Sequence, residues 1–459
     1  MSSQGIGADF GLGAKGLRSL CVAVVLTISA ASGAFADTVS TFKLDNGLDV
    51  VVIEDHRAPV VINMVWYKIG AADESPGHSG IAHFLEHLMF QGTKEVAPGD
   101  LSKIVAAQGG SDNAFTTQDY TAYFQRVAAD RLELVMKMEA DRMHNLNLSQ
   151  SDVDTELKVI LDERNQRIDS DPGALFNEQM DAAQYLNQPY GIPVIGWRHE
   201  MEKLTRADAL DFYQANYAPN NAILVVAGDV KPDDVLALAK KYYGPIAPSD
   251  KIHPRVRPTE PPQLAERRLA MSDSRVAQPY VVRSYLAPQR HPGDQKEAAS
   301  LTMLAQLLGG NRATSVLPKA LEFDQKIATY TSASYDGLSM DATTFGLVAV
   351  PADGVALGDL EKALDAVLAK FVKDGVDPDE FARIKVQVAA QQIYKDDNTQ
   401  GLAHQYGMAL ASGLSVKDVQ DWPGLLQAVT PEDVIAEAKI VLDRRHAVTG
   451  WLTTEEAAQ

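Results

Sequence analysis

The order of apolar and polar positions along the chain predicts alternating strands and helices. Residues 49–70, DVVVIEDHRAPVVINMVWYKIG, are rich in β-branched side chains and indicate two strands around a turn. Residues 152–166 predict a helix that begins near Ser149 and has one apolar face, formed by Val153, Leu157, Ile160 and Leu161. Strands mixed with long helices in this way predict an α+β protein.

The two halves of the chain share one pattern. A helix with a threonine at its start precedes a strand near the end of each half, at Thr205 before 222–230 and at Thr430 before 446–454. The proline-rich stretch PIAPSDKIHPRVRPTEPP between the halves is typical of a linker. We therefore predict two homologous halves, each a mainly antiparallel sheet packed with helices, with boundaries at 1–36 (signal peptide), 37–247, 248–264 (linker) and 265–459.

A polar trio interrupts the first copy of the repeat. Residues 83–90 read HFLEHLMF, which places His83, Glu86 and His87 among large apolar side chains. If Gly92 is aligned with Gly309, the second copy has ordinary packing residues at the same positions, namely Ser300, Met303 and Leu304. The trio therefore serves something other than the fold, unless the histidines are a packed core pair.

The spacing of the trio indicates a metal site. His83 and His87 lie one helical turn apart, so both imidazoles reach one ion, and Glu86 borders the same place. Burying these groups without partners is costly, and a divalent cation offsets that cost. A catalytic zinc needs a third protein ligand. Glu156 and Glu163 lie two turns apart in the predicted helix 152–166, so one can bind the metal while the other orients a ligand.

Charge and the N-terminal residues limit the class of protein. The formal net charge of -19 argues against nucleic-acid binding, because phosphate contacts need clustered Lys and Arg.

The N-terminal residues predict a secretory signal peptide: Lys15 and Arg18 are followed by an apolar run and the sequence Ala34-Phe35-Ala36. Cys21, the only cysteine, falls within it, and no other segment is apolar enough to span a membrane. We expect an exported protein of the periplasm of a Gram-negative bacterium.

The motif residues carry a family resemblance. His83-x-x-Glu86-His87 is the inverted zinc motif, and Glu163 follows His87 by 76 residues. Together with GxxxE at 70–74 and four further segments, these features resemble the pitrilysin family of metallopeptidases (peptidase family M16) over essentially the whole mature chain. The further segments are HFLEHLMFQGT (83–93), DNAFTTQDYTAYF (112–124), PYGIPVIG (189–196) and YAPNNAILVVAGDV (217–230).

The resemblance implies a fold, an activity and residue roles. It implies LuxS/metallohydrolase-like halves and a zinc endopeptidase that holds one Zn²⁺ per chain and hydrolyses short or unfolded peptides. The implied metal ligands are His83, His87 and Glu163, with Glu86 as general base and Glu156 as the carboxylate that orients a ligand histidine. Asn113 and Ala114 would lie on an edge strand that binds peptide substrates by main-chain pairing.

One feature departs from the family. Active single-chain members carry an Arg and a Tyr, seven residues apart, in the second half. If LPKALEFDQKIATYTSAS (317–334) aligns with the family without gaps, Glu322 occupies the Arg position and Thr329 the Tyr position, with Tyr330 one residue away. We therefore expect the chain to be the catalytic subunit of a heterodimer whose homologous partner supplies this pair. A homodimer, a stand-alone peptidase and a non-catalytic binding or assembly subunit are the alternatives.

Overall fold

The computed structural model describes residues 39–454 and contains two β-sheets. The predicted signal peptide and Cys21 lie outside the described residues. The strands of the first sheet are β1 (Val39–Lys43), β2 (Asp49–Glu54), β3 (Val60–Tyr67), β4 (Ser111–Thr116), β5 (Thr121–Ala128) and β6 (Ala222–Gly228). Those of the second sheet are β7 (Arg267–Ser272), β8 (Tyr280–Ala287), β9 (Ala328–Tyr335), β10 (Thr343–Pro351) and β11 (Ala447–Thr453).

The two sheets have the same topology. The strand order is β1-β2-β6-β3-β5-β4 in the first and β7-β11-β8-β10-β9 in the second, so β1 is the one addition. Each sheet has one parallel pair, β2 with β6 and β7 with β11, and its other pairs are antiparallel. The α+β prediction and the internal repeat are therefore confirmed.

One local expectation needs refinement. Residues 49–70 do contain two strands, β2 and β3, but these strands do not pair with each other. Strand β6 lies between them, parallel to β2 and antiparallel to β3. All seven residues of β6 are buried, which explains why this apolar strand occupies the middle of the sheet.

Helices cover both sheets. The helices of the first half are α1 (Ile81–Leu88), α2 (Asp100–Ala107), α3 (Leu132–His144), α4 (Gln150–Arg164), α5 (Pro172–Gln184), α6 (Arg198–Met201), α7 (Arg206–Asn216) and α8 (Pro232–Tyr242). Those of the second half are α9 (Lys296–Ala305), α10 (Leu357–Asp374), α11 (Pro378–Asp396), α12 (Thr399–Ala411), α13 (Val416–Ala428) and α14 (Pro431–Val441). Thr205 and Thr430 cap α7 and α14 as predicted. Among the described residues, no helix is long and apolar enough to cross a membrane.

Each sheet is completed by a helix from the other half. Helix α12 packs on β3 and β6, and Gly407 lies so close to Trp66 that a Cβ atom there would be 2.0 Å from the indole ring. Helix α5 packs on β11, where Phe176 and Met180 crowd Gly450. A sheet has two faces to bury, and the second face of each one is covered by this exchange.

The predicted linker 248–264 is bound along its length to both halves. Arg257, only 4% exposed, forms ion pairs with three aspartates, namely Asp73, Asp119 and Asp341. Glu260 accepts hydrogen bonds from the backbone N–H groups of residues 186–188. The segment has no regular secondary structure up to β7, as its prolines predict, but its charged side chains fix its path.

Candidate metal centre

Helix α1 presents both histidines of the motif on one side. Ile81, Phe84, Leu85 and Leu88 bury the other sides of the helix in the first core. The two imidazole rings are neighbours, with centroids 4.8 Å apart. At the equivalent place in the second half, Ser300, Met303 and Leu304 of α9 are buried packing residues, which agrees with the alignment of the two copies.

Helix α4 brings Glu163 to the histidines. Ser149 caps the start of α4, as predicted, through a hydrogen bond from the N–H of Asp152. Glu163 Oε2 lies 3.6 Å from His83 Nε2 and 3.3 Å from His87 Nε2. One donor atom from each of the three residues lies within 4.8 Å of the others, and this is the single such group of His, Cys, Asp and Glu found among the described residues.

These residues fit a zinc ion. Ligand bonds of about 2.0–2.2 Å at tetrahedral angles place neighbouring donors about 3.4 Å apart, close to the observed separations. Glu156 Oε2 lies 3.3 Å from His87 Nδ1, so Nδ1 donates to this carboxylate and Nε2 keeps its lone pair. That lone pair faces Glu163 Oε2, another acceptor, which is buried and receives no hydrogen bond. Two facing acceptors need a cation or a proton between them.

The sequence left open whether Glu156 contacts His83 or His87. In the structure it contacts His87. Its second oxygen accepts a 2.6 Å hydrogen bond from Gln91 Nε2, which lies just beyond the end of α1. Nδ1 of His83 is buried without a hydrogen-bond partner. The orienting carboxylate therefore serves one histidine, and the assignment of Glu156 as that residue stays a prediction.

Glu86 stands at the border between helix and sheet. Thr116 Oγ1, at the end of β4, donates a 2.5 Å hydrogen bond to Glu86 Oε2. Burial raises the pKa of the Glu86 carboxyl, and the bond from Thr116 lowers it in part. A carboxylate with a raised pKa takes up a proton more readily. Such a carboxylate beside His83, His87 and Glu163 has the property that a general base requires.

The two histidines differ in the direction of their pKa shifts. Burial lowers the pKa of His83 to about 3, with the neighbouring His87 and Arg167 acting in the same direction. Burial lowers the pKa of His87 as well, but the bond to Glu156 and the charges of Glu86 and Glu163 outweigh it and raise that pKa. His83 is therefore neutral and offers a lone pair, as a metal ligand must.

A cleft of ≈ 910 Å³ opens in front of the three donor residues. One wall is β4, the edge strand of the first sheet, and both Asn113 and Ala114 line the cleft from it. Apolar side chains form much of the remaining wall, namely Val159, Ile168, Pro193, Val194 and Ile195. The structure thus places an edge strand along the cleft, as expected, while binding of a peptide to Asn113 and Ala114 stays a prediction.

Three contacts at the site were missed from the sequence. Thr116 and Gln91 hold Glu86 and Glu156 as described above, and Arg167 Nη1 lies 2.9 Å from Glu163 Oε1. Arg167 lies in a π-helical turn, Asn165–Asp169, that extends α4, and its side chain is 74% exposed. The i,i+4 spacing from Glu163 is a signal that could have identified Arg167, whereas Thr116 depends on a contact between distant segments.

Other interactions occupy Glu322 and Thr329, the positions at which the Arg/Tyr pair of the family is expected. Glu322 is buried, accepts hydrogen bonds from the backbone and side chain of Thr331, and pairs with Arg312 Nε at 2.7 Å. Thr329 is exposed and its carbonyl accepts a bond from Arg312. Glu322 therefore has a structural role, and unlike an arginine it has no N–H group to donate to a substrate.

Two family profiles match the chain in succession. The profile described as "Insulinase (Peptidase family M16)" matches residues 49–197, and the profile described as "Peptidase M16 inactive domain" matches residues 203–388. The chain belongs to peptidase family M16. The family resemblance predicted from the motifs is therefore confirmed.

Relatives within family M16 agree with this assignment. The "Zinc protease PqqE" of Helicobacter pylori is 29% identical over 393 residues, which are 85% of this chain and 87% of that protein. An uncharacterized zinc protease of Streptomyces coelicolor is 27% identical over 435 residues, 92% of each chain. These relatives support a metallopeptidase and imply zinc as its metal.

Solved structures of family M16 share the fold. A protease from Helicobacter pylori superposes with a TM-score of 0.85 at 27% identity, over 91% of this chain and 99% of that one. The periplasmic protease PqqL from Escherichia coli superposes with a TM-score of 0.79 at 21% identity, over 92% of this chain but 48% of that one. The second likeness concerns the fold alone, and it shows that this chain corresponds to about half of PqqL.

Proposed function

We propose that this chain is a zinc-dependent endopeptidase of short or unfolded peptides and the catalytic subunit of a heterodimer. One observation carries the proposal: His83, His87 and Glu163 converge within 4.8 Å beside Glu86, in a cleft bordered by an edge strand. A single metal ion held by these residues would polarise the scissile carbonyl and lower the pKa of the attacking water.

The chain's own residues perform the remaining tasks. Glu86, held by Thr116, accepts the proton of the attacking water and returns it to the leaving amine. Glu156 keeps Nδ1 of His87 protonated, so that Nε2 stays free to bind the metal. Removing either carboxylate leaves the three ligands in place but changes the proton transfer or the ligand orientation.

The substrate is an extended peptide in this proposal. A peptide that pairs with the backbone of β4 at Asn113 and Ala114 would run along the cleft with its carbonyl groups facing Glu86 and the histidines. Main-chain pairing reads little sequence and requires an extended segment, so folded proteins are excluded. The apolar part of the cleft wall favours a large apolar side chain next to the cleaved bond.

The heterodimer rests on the second half of the chain. Glu322 is committed to Arg312 and Thr331, so the chain lacks a free Arg/Tyr pair at the family's positions. A homologous M16 subunit that carries this pair but not the zinc motif would complete the site, and a neighbouring gene for such a subunit would support it. A homodimer or stand-alone enzyme that uses other groups is the alternative. A non-catalytic binding or assembly subunit is less consistent with three converged ligands.

The proposed compartment is the periplasm. The predicted signal peptide at 1–36 is the basis, and the related fold of PqqL belongs to a protein described as periplasmic. Detection of the mature chain, starting at Asp37, in an osmotic-shock fraction tests this part of the proposal. Retention of the first 36 residues on the purified native protein would contradict it.

Peptide cleavage by the purified mature chain and its Glu86→Gln variant tests the function. Cleavage by the wild type, none by Glu86→Gln, and equal zinc content support a peptidase that works alone or as a homodimer. No cleavage by the zinc-loaded chain until a homologous subunit is added supports the heterodimer. Cleavage by Glu86→Gln at the wild-type rate would refute the mechanism.

A further inference from the structure

The helix that carries the zinc motif has no cap of its own. The residue before α1 is Gly80, which has a φ of 88° and no side chain to bind the exposed N–H groups of the first turn. Glu74, six residues upstream, takes this place. Its Oε2 accepts the N–H of Gly80 at 2.9 Å and its Oε1 accepts the N–H of Ala82 at 2.8 Å. His83 is the next residue, so this carboxylate fixes the backbone turn from which the first histidine projects.

The segment that ends in Glu74 is also bound to the substrate side of the cleft. The N–H of Ala71 donates to Thr117 O and the N–H of Ala72 donates to Gln118 O, each at 2.9 Å. Thr117 and Gln118 form the turn between β4 and β5, directly after Thr116. Gly70 lies against the same turn, where a Cβ atom would approach Thr117 O to 2.5 Å. Residues 70–74 therefore join the hairpin of the edge strand to the start of α1.

Glu74 differs from the second carboxylate at this end of the helix. Burial raises the pKa of Glu74 to about 8, although the bonds from Ala82 and Gly80 act against it. Glu200 Oε2 accepts the N–H of Ser79 at 2.9 Å, and the pKa of Glu200 is lowered because the bonds with Ser79 and the charges of His199 and Lys203 together outweigh its burial. The charged form of Glu200 is therefore stabilised by the fold, whereas that of Glu74 is not. Glu74 therefore does not stabilise the fold through its charge, and its two hydrogen bonds to the start of α1 explain its presence better.

We propose that Glu74 is a positioning residue, which holds the first turn of α1 against the β4–β5 hairpin and so sets His83 relative to the substrate strand. The inference rests on the proposed zinc site. It assigns a function to the GxxxE segment (70–74), which contains none of the proposed ligands, the proposed base or the orienting carboxylate. A glutamine at this position keeps one acceptor, but its amide group faces the second N–H and cannot accept it.

Zinc affinity, kcat, KM and the melting temperature of the metal-free protein are measured for the wild type, Glu74→Gln and Glu200→Gln. A chelating dye that competes for zinc gives the affinity, and differential scanning calorimetry gives the melting temperature. We expect Glu74→Gln to bind zinc about tenfold more weakly and to lose kcat rather than KM, with no loss of melting temperature. Glu200→Gln should melt at a lower temperature and bind zinc within about twofold of the wild type.

The outcomes separate three cases. Weaker zinc binding by Glu74→Gln without a loss of thermal stability supports the positioning role. Zinc affinity within about twofold of the wild type, or equal losses of affinity in both variants, overturns it. Absence of zinc binding by the wild type overturns the proposed function itself, which keeps the two failures distinguishable.

Discussion

Replacement of Glu156 by glutamine tests how the site is oriented. In the wild type, Glu156 Oε2 accepts from His87 Nδ1 at 3.3 Å, and an amide in that place would offer a donor instead. The histidine would then favour the tautomer whose proton sits on Nε2, where the metal should bind. A hydrogen bond to a charged group contributes about 1.5–3 kcal/mol. Loss of the group that orients a metal-binding histidine costs about 10–100-fold in metal affinity. The long distance and the 24% exposure of His87 favour the lower end, so we expect about tenfold weaker zinc binding.

The assay for this prediction is zinc competition with a chelating dye at neutral pH, followed by peptide cleavage at saturating zinc. Asp162→Asn is the matched control, because Asp162 lines the same cleft from the same helix and is not among the proposed ligands. The control should bind zinc as the wild type does. Unchanged zinc affinity in Glu156→Gln would refute the assignment of Glu156 as the orienting carboxylate.

Three further predictions concern stability. Gly407→Ala should lower the free energy of unfolding by about 1–3 kcal/mol, since its methyl group would overlap Trp66 across the two halves, and an unchanged melting temperature would contradict this. Arg257→Met should lower the free energy of unfolding, measured in urea, by about 3–5 kcal/mol, because it leaves buried aspartates unpaired. If this loss is smaller than the loss on replacing an exposed arginine, the result argues against a structural role for the linker. Because the pKa of Glu74 is raised, the wild type loses stability as the pH rises from about 4.5 to 8. The melting temperature of Glu74→Gln should therefore rise relative to that of the wild type over this range. A difference in melting temperature that stays constant with pH would show that Glu74 titrates normally.

The sequence predicted the parts of the molecule that have short-range signals. The caps at Ser149, Thr205 and Thr430 and the polar trio of α1 depend on spacings within one helix, and the structure has them as expected. The internal repeat was visible because both copies keep the order of helix and strand. These signals do not depend on how distant segments pack.

Long-range packing left no such signal. The insertion of β6 between β2 and β3, and the contact between Gly407 and Trp66, join segments far apart in the chain. The linker was predicted as irregular from its prolines, but the ion pairs of Arg257 require three aspartates that only the fold brings together. Thr116 was missed for the same reason, because its partner Glu86 belongs to another element.

The most direct test of the central claim is the zinc content of the purified mature chain and of Glu163→Gln, measured by inductively coupled plasma mass spectrometry after gentle dialysis. Glu163 Oε2 faces both histidines, so replacing Glu163 by glutamine removes the carboxylate proposed as the third ligand. We predict one zinc per wild-type chain and close to none in the variant. A wild-type chain without zinc, or a variant that retains a full equivalent, would contradict the assignment of His83, His87 and Glu163 as the metal site.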